Sequence, residues 1–422
     1  MLGAIESGFM WITQLGGAGI LFTGLFILGL VFKLGFGKSF RAALTSATGF
    51  VGLFLVVDLL IDIMGPATEN MVQRIGWDLG IVDVGWGLIG MAWGSPVAIF
   101  VIITAIVLNI VLLLIKFTDT LMIDFWNYWS FAAAGALAYG ATESIPFSVG
   151  AAAVYIAICL KVADIVAPNY QEFYGQPGVS WPTGAVIPPI IIGYPVIKFI
   201  QKIPVIKDIK ANPEFIQKKF GVLGEPVVMG GILGLFIGIL AGFEAHQIIV
   251  TGIQMAAVLI LVPRMIQVLM EGMLTVAEAA SEFTQEHFKE REKLFIGIDA
   301  STILGHPATL ASIIILTPLV PVLSVVLPGN QMLAVASVVA IPWFVIPLTS
   351  YAKGNIVHIV LASLVVFSFY LWGATYLAQA HTNLAQITGM GIPQGAELVS
   401  SLSEGGNPIT ALLVMIGSAL GF

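Results

Sequence analysis

Apolar runs long enough to cross a lipid bilayer occupy most of this chain. A membrane-spanning helix needs about 20 consecutive apolar residues, and runs of that order occur here in two series of five. They cover residues 11–32, 43–63, 97–115, 121–140, 145–165, 226–243, 247–263, 308–327, 331–350 and 355–378, with a shorter run at 408–422. Hydrophobic residues make up 58% of the chain and charged residues 10%. We therefore expect an all-α polytopic membrane protein with about 11 transmembrane helices.

The basic residues predict the orientation of these helices. Lys and Arg are enriched on the cytoplasmic side of membrane proteins. If the N-terminus lies outside and the polar connector at 167–222 stays on the cytoplasmic side, every Lys and Arg except Arg74 falls inside. The sequence therefore predicts a multi-pass protein with its N-terminus outside.

Two polar, glycine-bearing segments interrupt the apolar sequence at corresponding places. They cover residues 81–96 and 295–307, each with an aspartate early, Asp83 or Asp299, and a Gly-X-Pro tripeptide at its end. Irregular backbone and ionisable side chains are tolerated at membrane depth only where protein or a water-filled cavity satisfies them. Paired interruptions of this kind point to the substrate site of a transporter. We expect each segment to form a re-entrant hairpin.

These features divide the chain into two similar halves. Because each half has an odd number of spans, the second half must run inverted relative to the first. We expect a first repeat at 1–166, a cytoplasmic connector with a re-entrant piece at 167–222, a second repeat at 223–383, and a C-terminal loop and final helix at 384–422. Inverted five-helix repeats with paired hairpins are an alternating-access architecture.

Asp83 and Asp299 are the strongest candidates for substrate contact. A carboxylate at membrane depth either coordinates a polar group or caps a broken helix, and both alternatives stay open. The imidazole of His306 offers one donor and one acceptor, which suits a sugar or polyol hydroxyl, although an internal hydrogen bond would also explain it. Trp86 is either a stacking wall for a carbohydrate or an anchor at the membrane interface.

A further polar group begins one of the spans. Asp124, Asn127 and Ser130 are spaced by three and so share one helix face. Carboxylate, amide and hydroxyl groups beside aromatic rings can recognise a polyol, but a span entrance facing cytoplasmic water has the same composition. Glu143 and Glu225 each open a span, where helix capping is the plain interpretation. Both remain candidate substrate ligands.

The chain lacks sequence motifs for energy conversion and catalysis. It has no Walker-type phosphate loop, no HExxH motif and one cysteine, Cys159, so no cysteine-built metal site is expected. Nucleic acid is excluded as a partner because no basic patch with interleaved aromatic residues occurs. We expect no cofactor and no metal ion. Transport must therefore be driven by an ion gradient or by a partner protein, or it is passive, as in a channel.

A series of short motifs is spread along nearly the whole chain. They include Asp62-Ile-Met-Gly65-Pro66, Val82-Asp83-Val84-Gly85-Trp86, Asp124-Phe125-Trp126-Asn127, Gly224-Glu225-Pro226, Leu304-Gly305-His306 and Gly406-Asn407-Pro408. Each is weak alone, but together they resemble the membrane-embedded EIIC component of the galactitol family of the bacterial phosphotransferase system (PTS). This family is similar to the ascorbate transporters of the same system. The resemblance implies a homodimer in which a core domain carries substrate past a fixed dimerisation domain, as an elevator.

The resemblance also implies an energy source and partners. In such systems a phosphoryl group passes from phosphoenolpyruvate through soluble carriers, including EIIA, to a cysteine on a separate EIIB subunit. EIIB then phosphorylates the sugar at the cytoplasmic face of the bacterial inner membrane. EIIC itself needs no phosphoacceptor, so this chain is expected to be the transporter subunit of a phosphotransferase complex.

Two positions depart from the family pattern. Ser130 stands where relatives often have a histidine after the Asp-X-Trp-Asn motif, and Thr183 stands where they often have Pro-His-Gly. Both positions are expected to contact substrate, so the substrate is galactitol or a related polyol. The alternative is a proton- or sodium-coupled secondary transporter of a polyol or sugar acid, in which Asp58, Asp62 or Asp299 binds the ion.

Overall fold

The computed structural model describes residues 16–75, 79–123, 127–207, 209, 226–287, 294–303, 306–389, 392 and 396–422. Most of these residues are helical. The α-helices are α1 (Gly16–Val31), α2 (Phe36–Ile75), α3 (Gly87–Gly94), α4 (Ala98–Leu114), α5 (Asn127–Thr142), α6 (Ile145–Tyr174), α7 (Ile187–Ile200), α8 (Pro204–Lys207), α9 (Pro226–Leu240), α10 (Ala245–His287), α11 (Pro307–Val326), α12 (Ile341–Tyr351), α13 (Ile356–Ile387) and α14 (Pro408–Ala419). The strands are β1 (Ile81–Asp83), β2 (Thr120–Met122), β3 (Val179–Ser180), β4 (Phe295–Gly297) and β5 (Leu398–Ser400). Short 3-10 helices cover Ala300–Ile303, Ala336–Ala340 and Glu404–Gly406.

Several of these helices are apolar enough for a polytopic membrane protein. By length and composition, α6, α11 and α13 could each cross a bilayer, and the bent pair α3 and α4 makes a fourth candidate among the described residues. The axes of α3 and α4 differ by 86° at the break after Gly94. This break lies inside the first polar interruption, where Ser95 has extended backbone.

Two helices are longer than the sequence predicts. The apolar runs in these regions cover only 43–63 and 247–263, but α2 is continuous over 40 residues and α10 over 43. Pro66 lies inside α2 without ending it. Inside a membrane an interrupted helix leaves backbone groups without water to satisfy them, so continuing the helix is favoured.

Helices α1, α2, α9 and α10 pack on one another and form what we call the four-helix unit. Its tightest crossing is between α2 and α10, where Gly49 faces the backbone of Leu269 and Gly272 faces Ala42. The Ser46 hydroxyl donates to the carbonyl of Leu269 across the same crossing, at 2.9 Å. Small residues allow membrane helices to approach closely and to hydrogen-bond to each other.

The remaining helices form a second body, the core unit, centred on α5 and α13. Helix α5 is buried along nearly its whole length and is rich in alanine and glycine. The principal contacts between the two units are α1 with α3, α2 with the 3-10 helix Ala336–Ala340, and α9 with α11. The core unit contains all five strands.

The short strands join distant parts of the chain. Strand β1 pairs in parallel with β5, and Ile81 also bridges to Met332. Strand β4 pairs in parallel with both β2 and β3. Each polar interruption therefore begins with a strand whose backbone is satisfied by the other half of the chain. This pairing brings the loops after β3, β4 and β5 into the interior of the core unit.

Replacing Gly49 with alanine tests the close crossing of α2 and α10. The new methyl group would meet the Leu269 backbone, so the helices must separate, and overpacking of this kind costs about 1–3 kcal/mol. We expect Gly49→Ala to lower the thermal denaturation midpoint of the purified protein. Gly150→Ala in α6 is the control, because no atom lies within 4 Å of its added methyl group. Equal midpoints for the two variants would contradict the crossing.

Candidate functional site

Three buried polar side chains meet where the two halves of the core unit join. Asp299 follows β4, Thr183 lies between β3 and α7, and Asn127 begins α5. The Thr183 hydroxyl lies 3.2 Å from Oδ2 of Asp299 and also forms a hydrogen bond with the side-chain amide of Asn127. All three residues are fully buried. A carboxylate, a hydroxyl and an amide thus form one continuous chain of hydrogen bonds, the Asp299–Thr183–Asn127 chain.

The Thr183 hydroxyl has too few protons to satisfy both of its neighbours, and one atom of the Asn127 amide is left without a partner among the described residues. A hydroxyl carries a single proton, so Thr183 donates either to Asp299 or to Oδ1 of Asn127. In the second case Nδ2 of Asn127 has no partner among the described residues. If the amide is turned over, its NH₂ group donates to Thr183, and the oxygen takes the unpaired place. In either orientation Asn127 keeps a polar atom free for a ligand.

Tryptophan side chains form the walls beside this chain. The indole N–H of Trp343, on α12, lies 3.4 Å from Oδ1 of Asp299. The Trp343 ring packs edge-on against Trp86, with 5.2 Å between ring centroids. A small cavity is lined by Trp86, Trp129, Thr183, Ala185, Ala340, Trp343, Phe344 and Ser403. The site therefore combines a few polar groups with flat aromatic surfaces, as small-molecule sites commonly do.

The cavity is closed in this conformation. Its volume is about 10 Å³, enough for about one water molecule. Pockets for small organic ligands have volumes of about 300–1,000 Å³. A ligand of sugar size can enter only if the tryptophan walls and the loop that carries Thr183 move apart.

A second polar network holds the strands behind the site. Asp164 on α6 accepts hydrogen bonds from the Thr120 hydroxyl at 2.8 Å and from the backbone N–H of Asp119 at 3.0 Å. The Thr120 and Ser180 hydroxyls are 2.7 Å apart, which links β2 to β3. The side chain of Asn109 donates to the carbonyl of Thr120 and accepts from the N–H of Met122, so it holds both ends of β2. These contacts fix the strands from which the site loops begin.

Asp83 occupies a different environment from Asp299. Its carboxylate accepts hydrogen bonds from the backbone N–H groups of Gly85, Val335 and Ser337 at 2.7–2.9 Å, and from the Ser337 hydroxyl. The Ser337 hydroxyl in turn accepts from the N–H of Leu402 at 2.9 Å. Because every oxygen already has two donors, Asp83 ties β1 to two loops of the other half. These partners give Asp83 a structural role, and its contact with substrate stays a prediction.

Three more of the predicted site residues, His306, Glu143 and Ser130, lie within the described part of the structure. His306 accepts a hydrogen bond from the N–H of Ala308 at the start of α11, and its ring packs against Phe173 and Tyr174. Glu143 is exposed at the turn between α5 and α6. Ser130 is buried one helical turn beyond Asn127. Asp124 and Glu225 lie outside the described residues.

Sequence reasoning missed part of the cavity wall. Trp343 lies in an uninterrupted apolar run, and its role depends on an edge-on contact with Trp86 from the other half. Ser403 lies in the segment 384–422, which the sequence analysis treated only as a loop and final helix. The signal available there was the short polar run Ser400-Ser401-Leu402-Ser403-Glu404 between apolar stretches.

Replacing Asp83 with asparagine tests its structural role. The amide NH₂ would face donors that the carboxylate now accepts from, and each buried group left unsatisfied costs about 1–3 kcal/mol. We expect a clear drop in the thermal denaturation midpoint of Asp83→Asn. Asp62→Asn on α2 is the matched control because that side chain is exposed. An unchanged midpoint with lost ligand binding would instead make Asp83 a ligand.

Known proteins with similar sequences are permease components. A family model described as EIIC-GAT, PTS system sugar-specific permease component, matches residues 15–395. The chain is 34% identical over 411 residues, 97% of its length and 90% of the relative, to the PTS system galactitol-specific EIIC component of Escherichia coli K12 and of strain O157:H7. It is 32% identical over 398 residues, 94% of its length and 91% of the relative, to a putative permease IIC component of Escherichia coli K12. The chain therefore belongs to the EIIC-GAT family of sugar-specific permease components of the phosphotransferase system.

Proposed function

We propose that this protein carries galactitol, or a closely related polyol, across the bacterial inner membrane and presents it to EIIB for phosphorylation. The observation that carries the proposal is the Asp299–Thr183–Asn127 chain beside the tryptophan-lined cavity. The galactitol-specific relatives support the substrate class. The location rests on family membership and on the apolar helices.

The chemistry of the site suits a polyol. Each hydroxyl of a polyol can donate one hydrogen bond and accept others. Asp299 offers acceptors only, Asn127 offers either a donor or an acceptor, and the Thr183 oxygen can accept while its proton is held by Asp299 or Asn127, so adjacent hydroxyls can be matched in sequence. The carbon backbone of the ligand would pack on the rings of Trp86 and Trp343. No metal ion and no cofactor are required for this binding.

In this proposal the partner subunits EIIA and EIIB carry out phosphoryl transfer. Cys159, the one cysteine of the chain, is fully buried in α6, which does not suit a phosphoacceptor. We propose that EIIA passes the phosphoryl group to EIIB, and that EIIB acts at the cytoplasmic face. Lys198, Lys202 and Lys207 are exposed near the junction of α7 and α8. They offer a basic surface on which EIIB can dock.

We propose an inverted-repeat transporter with about 11 spans and its N-terminus outside. The order of elements supports the repeat, and the orientation rests on the distribution of Lys and Arg. In the first half, residues 1–166, two helices of the four-helix unit precede β1, the bent pair and two long core helices. In the second half, residues 223–383, α9 and α10 precede β4, α11, α12 and α13. The connector 167–222 contributes β3 and α7, and 384–422 contributes β5 and α14, so these two pieces are also counterparts.

The division into two units supports an elevator. The core unit holds the whole candidate site, and its principal contacts with the four-helix unit are few. We propose that the four-helix units of two protomers form the dimer and stay fixed. Each core unit then moves through the membrane with its substrate, and the two polar interruptions act as its re-entrant hairpins.

Phosphorylation in membrane vesicles tests the proposed function. Inside-out vesicles containing this protein, supplied with phosphoenolpyruvate and the soluble components including EIIB, should convert radiolabelled galactitol to its phosphate. Asp299→Asn should reduce the rate by at least about tenfold, because hydrogen bonds to a charged group contribute about 1.5–3 kcal/mol. Glu244→Gln, at an exposed carboxylate of the four-helix unit, is the control. Accumulation of unmodified galactitol that needs a sodium or proton gradient would favour a secondary transporter.

Cross-linking tests the elevator. Phe236 on α9 and Val322 on α11 face one apolar groove of about 290 Å³ between the two units. A flexible bis-maleimide joining cysteines at these positions, in a Cys159→Ala background, should stop galactitol phosphorylation while galactitol binding remains. The control joins cysteines at Phe26 and Phe36, which contact each other within the four-helix unit. Full activity of the Phe236–Val322 cross-linked protein would contradict movement between the units.

A further inference from the structure

A second buried carboxyl group lies beside the site but outside the part of the chain that the family model matches. Glu404 begins the 3-10 helix Glu404–Gly406 and is 1% exposed. The family match ends at residue 395. Its neighbour Ser403 lines the tryptophan-walled cavity. Glu404 therefore lies one residue from the cavity wall.

One oxygen of Glu404 is held in place by the protein. Asn407 caps α14 by accepting hydrogen bonds from the N–H groups of Ile409 and Thr410, which fixes its side chain. Its NH₂ group donates to Oε2 of Glu404 at 2.6 Å and also to the Tyr155 hydroxyl. Tyr155 donates onward to the carbonyl of Gly184 at 2.9 Å. The carboxyl group is thus oriented by a connected network.

The other oxygen of Glu404 has no hydrogen-bond partner among the described residues. The Ser130 hydroxyl is close enough to interact with this carboxyl group, but it forms no hydrogen bond of good geometry with Glu404 or with any other described residue. Both groups surround Gly184. A methyl group at that position would lie 2.6 Å from Cβ of Ser130 and 3.1 Å from Oε1 of Glu404. A glycine therefore keeps these two groups clear of a side chain.

Asp83 shows that the fold can satisfy a buried carboxylate completely. Its two oxygens receive four hydrogen bonds, whereas Oε1 of Glu404 receives none from the described residues. Leaving a buried polar atom unpaired is unfavourable. A carboxyl oxygen that is oriented by its neighbours but not satisfied by them is suited to a ligand that brings its own donors.

We propose that Oε1 of Glu404 and the Ser130 hydroxyl bind hydroxyl groups of the polyol, so that the ligand spans from Asp299 to Glu404. This inference rests on the proposed function. Thr183 contacts Asp299 and the adjacent Gly184 faces Glu404, so the two acidic groups flank a single dipeptide. When the walls of the cavity part, the ligand donates to both acidic groups and accepts from Ser130.

Calorimetric binding of galactitol and its 1-, 2- and 3-deoxy analogues tests the proposal. Glu404→Gln keeps an acceptor for Asn407 but presents an NH₂ group toward Ser130, so it should fold and should weaken galactitol binding about 10- to 100-fold. Glu397→Gln, at an exposed carboxylate seven residues earlier, should bind as the wild type does. One deoxy analogue should bind the wild-type protein more weakly than galactitol does, but should show little further loss in Glu404→Gln.

Ser130→Ala gives an independent measurement if Glu404→Gln does not fold. Alanine suits the alanine-rich helix α5, and we expect a loss of about 2- to 10-fold in galactitol affinity. If the wild-type protein binds galactitol and both variants bind it equally well, the role of Glu404 is overturned and the proposed function stands. If the wild-type protein binds none of these polyols, both the proposed function and this site are wrong.

Discussion

The interior of a membrane offers no water to backbone groups, and the architecture of this permease depends on meeting that constraint. Each polar interruption contains backbone that is not helical and must find partners within the protein. Strand β1 finds them in β5 and at Met332, and β4 finds them in β2 and β3. Because both interruptions borrow partners from the other half, their loops are drawn together. The candidate site lies in the loops that follow these paired strands.

The same constraint gives the buried carboxyl groups different surroundings. Asp83, at the end of β1, receives donors from three backbone groups and a serine, so it contributes to the joining of the two halves. Asp299 receives longer contacts from a threonine and a tryptophan. Glu404 is satisfied on one oxygen only, among the described residues. Both oxygens of Asp83 are therefore occupied, whereas one oxygen of Glu404 has no partner among the described residues.

Much of this arrangement could be predicted from the amino-acid sequence. Apolar runs and charge distribution indicate a polytopic membrane protein, and the short motifs indicate the EIIC-GAT family. Asn127, Thr183 and Asp299 were all candidate ligands before the structure, and it brings them into contact. Asn127 and Asp299 are identifiable from their polarity within apolar surroundings, whereas Thr183 is identifiable only from the resemblance to the family.

The remaining features depend on contacts that no local pattern encodes. His306 lies in the same polar interruption of the sequence as Asp299, yet its side chain caps α11 and packs against aromatic rings. Trp343 joins the site only because α12 packs beside Trp86. The lengths of α2 and α10 were also underestimated, because neither a proline nor a change to amphipathic sequence ends a helix that is supported by its neighbours. Long-range packing decided each of these outcomes.

The proposed function requires the tryptophan-walled cavity to open and to bind a polyol without a coupling ion. The most direct test is the thermal denaturation midpoint of the purified protein with and without galactitol, measured in the presence and in the absence of sodium. At about 100 times its dissociation constant a ligand adds about 2.7 kcal/mol of stability. We expect galactitol to raise the midpoint equally with and without sodium. A rise that occurs only with sodium, or no rise with any polyol, would contradict the account.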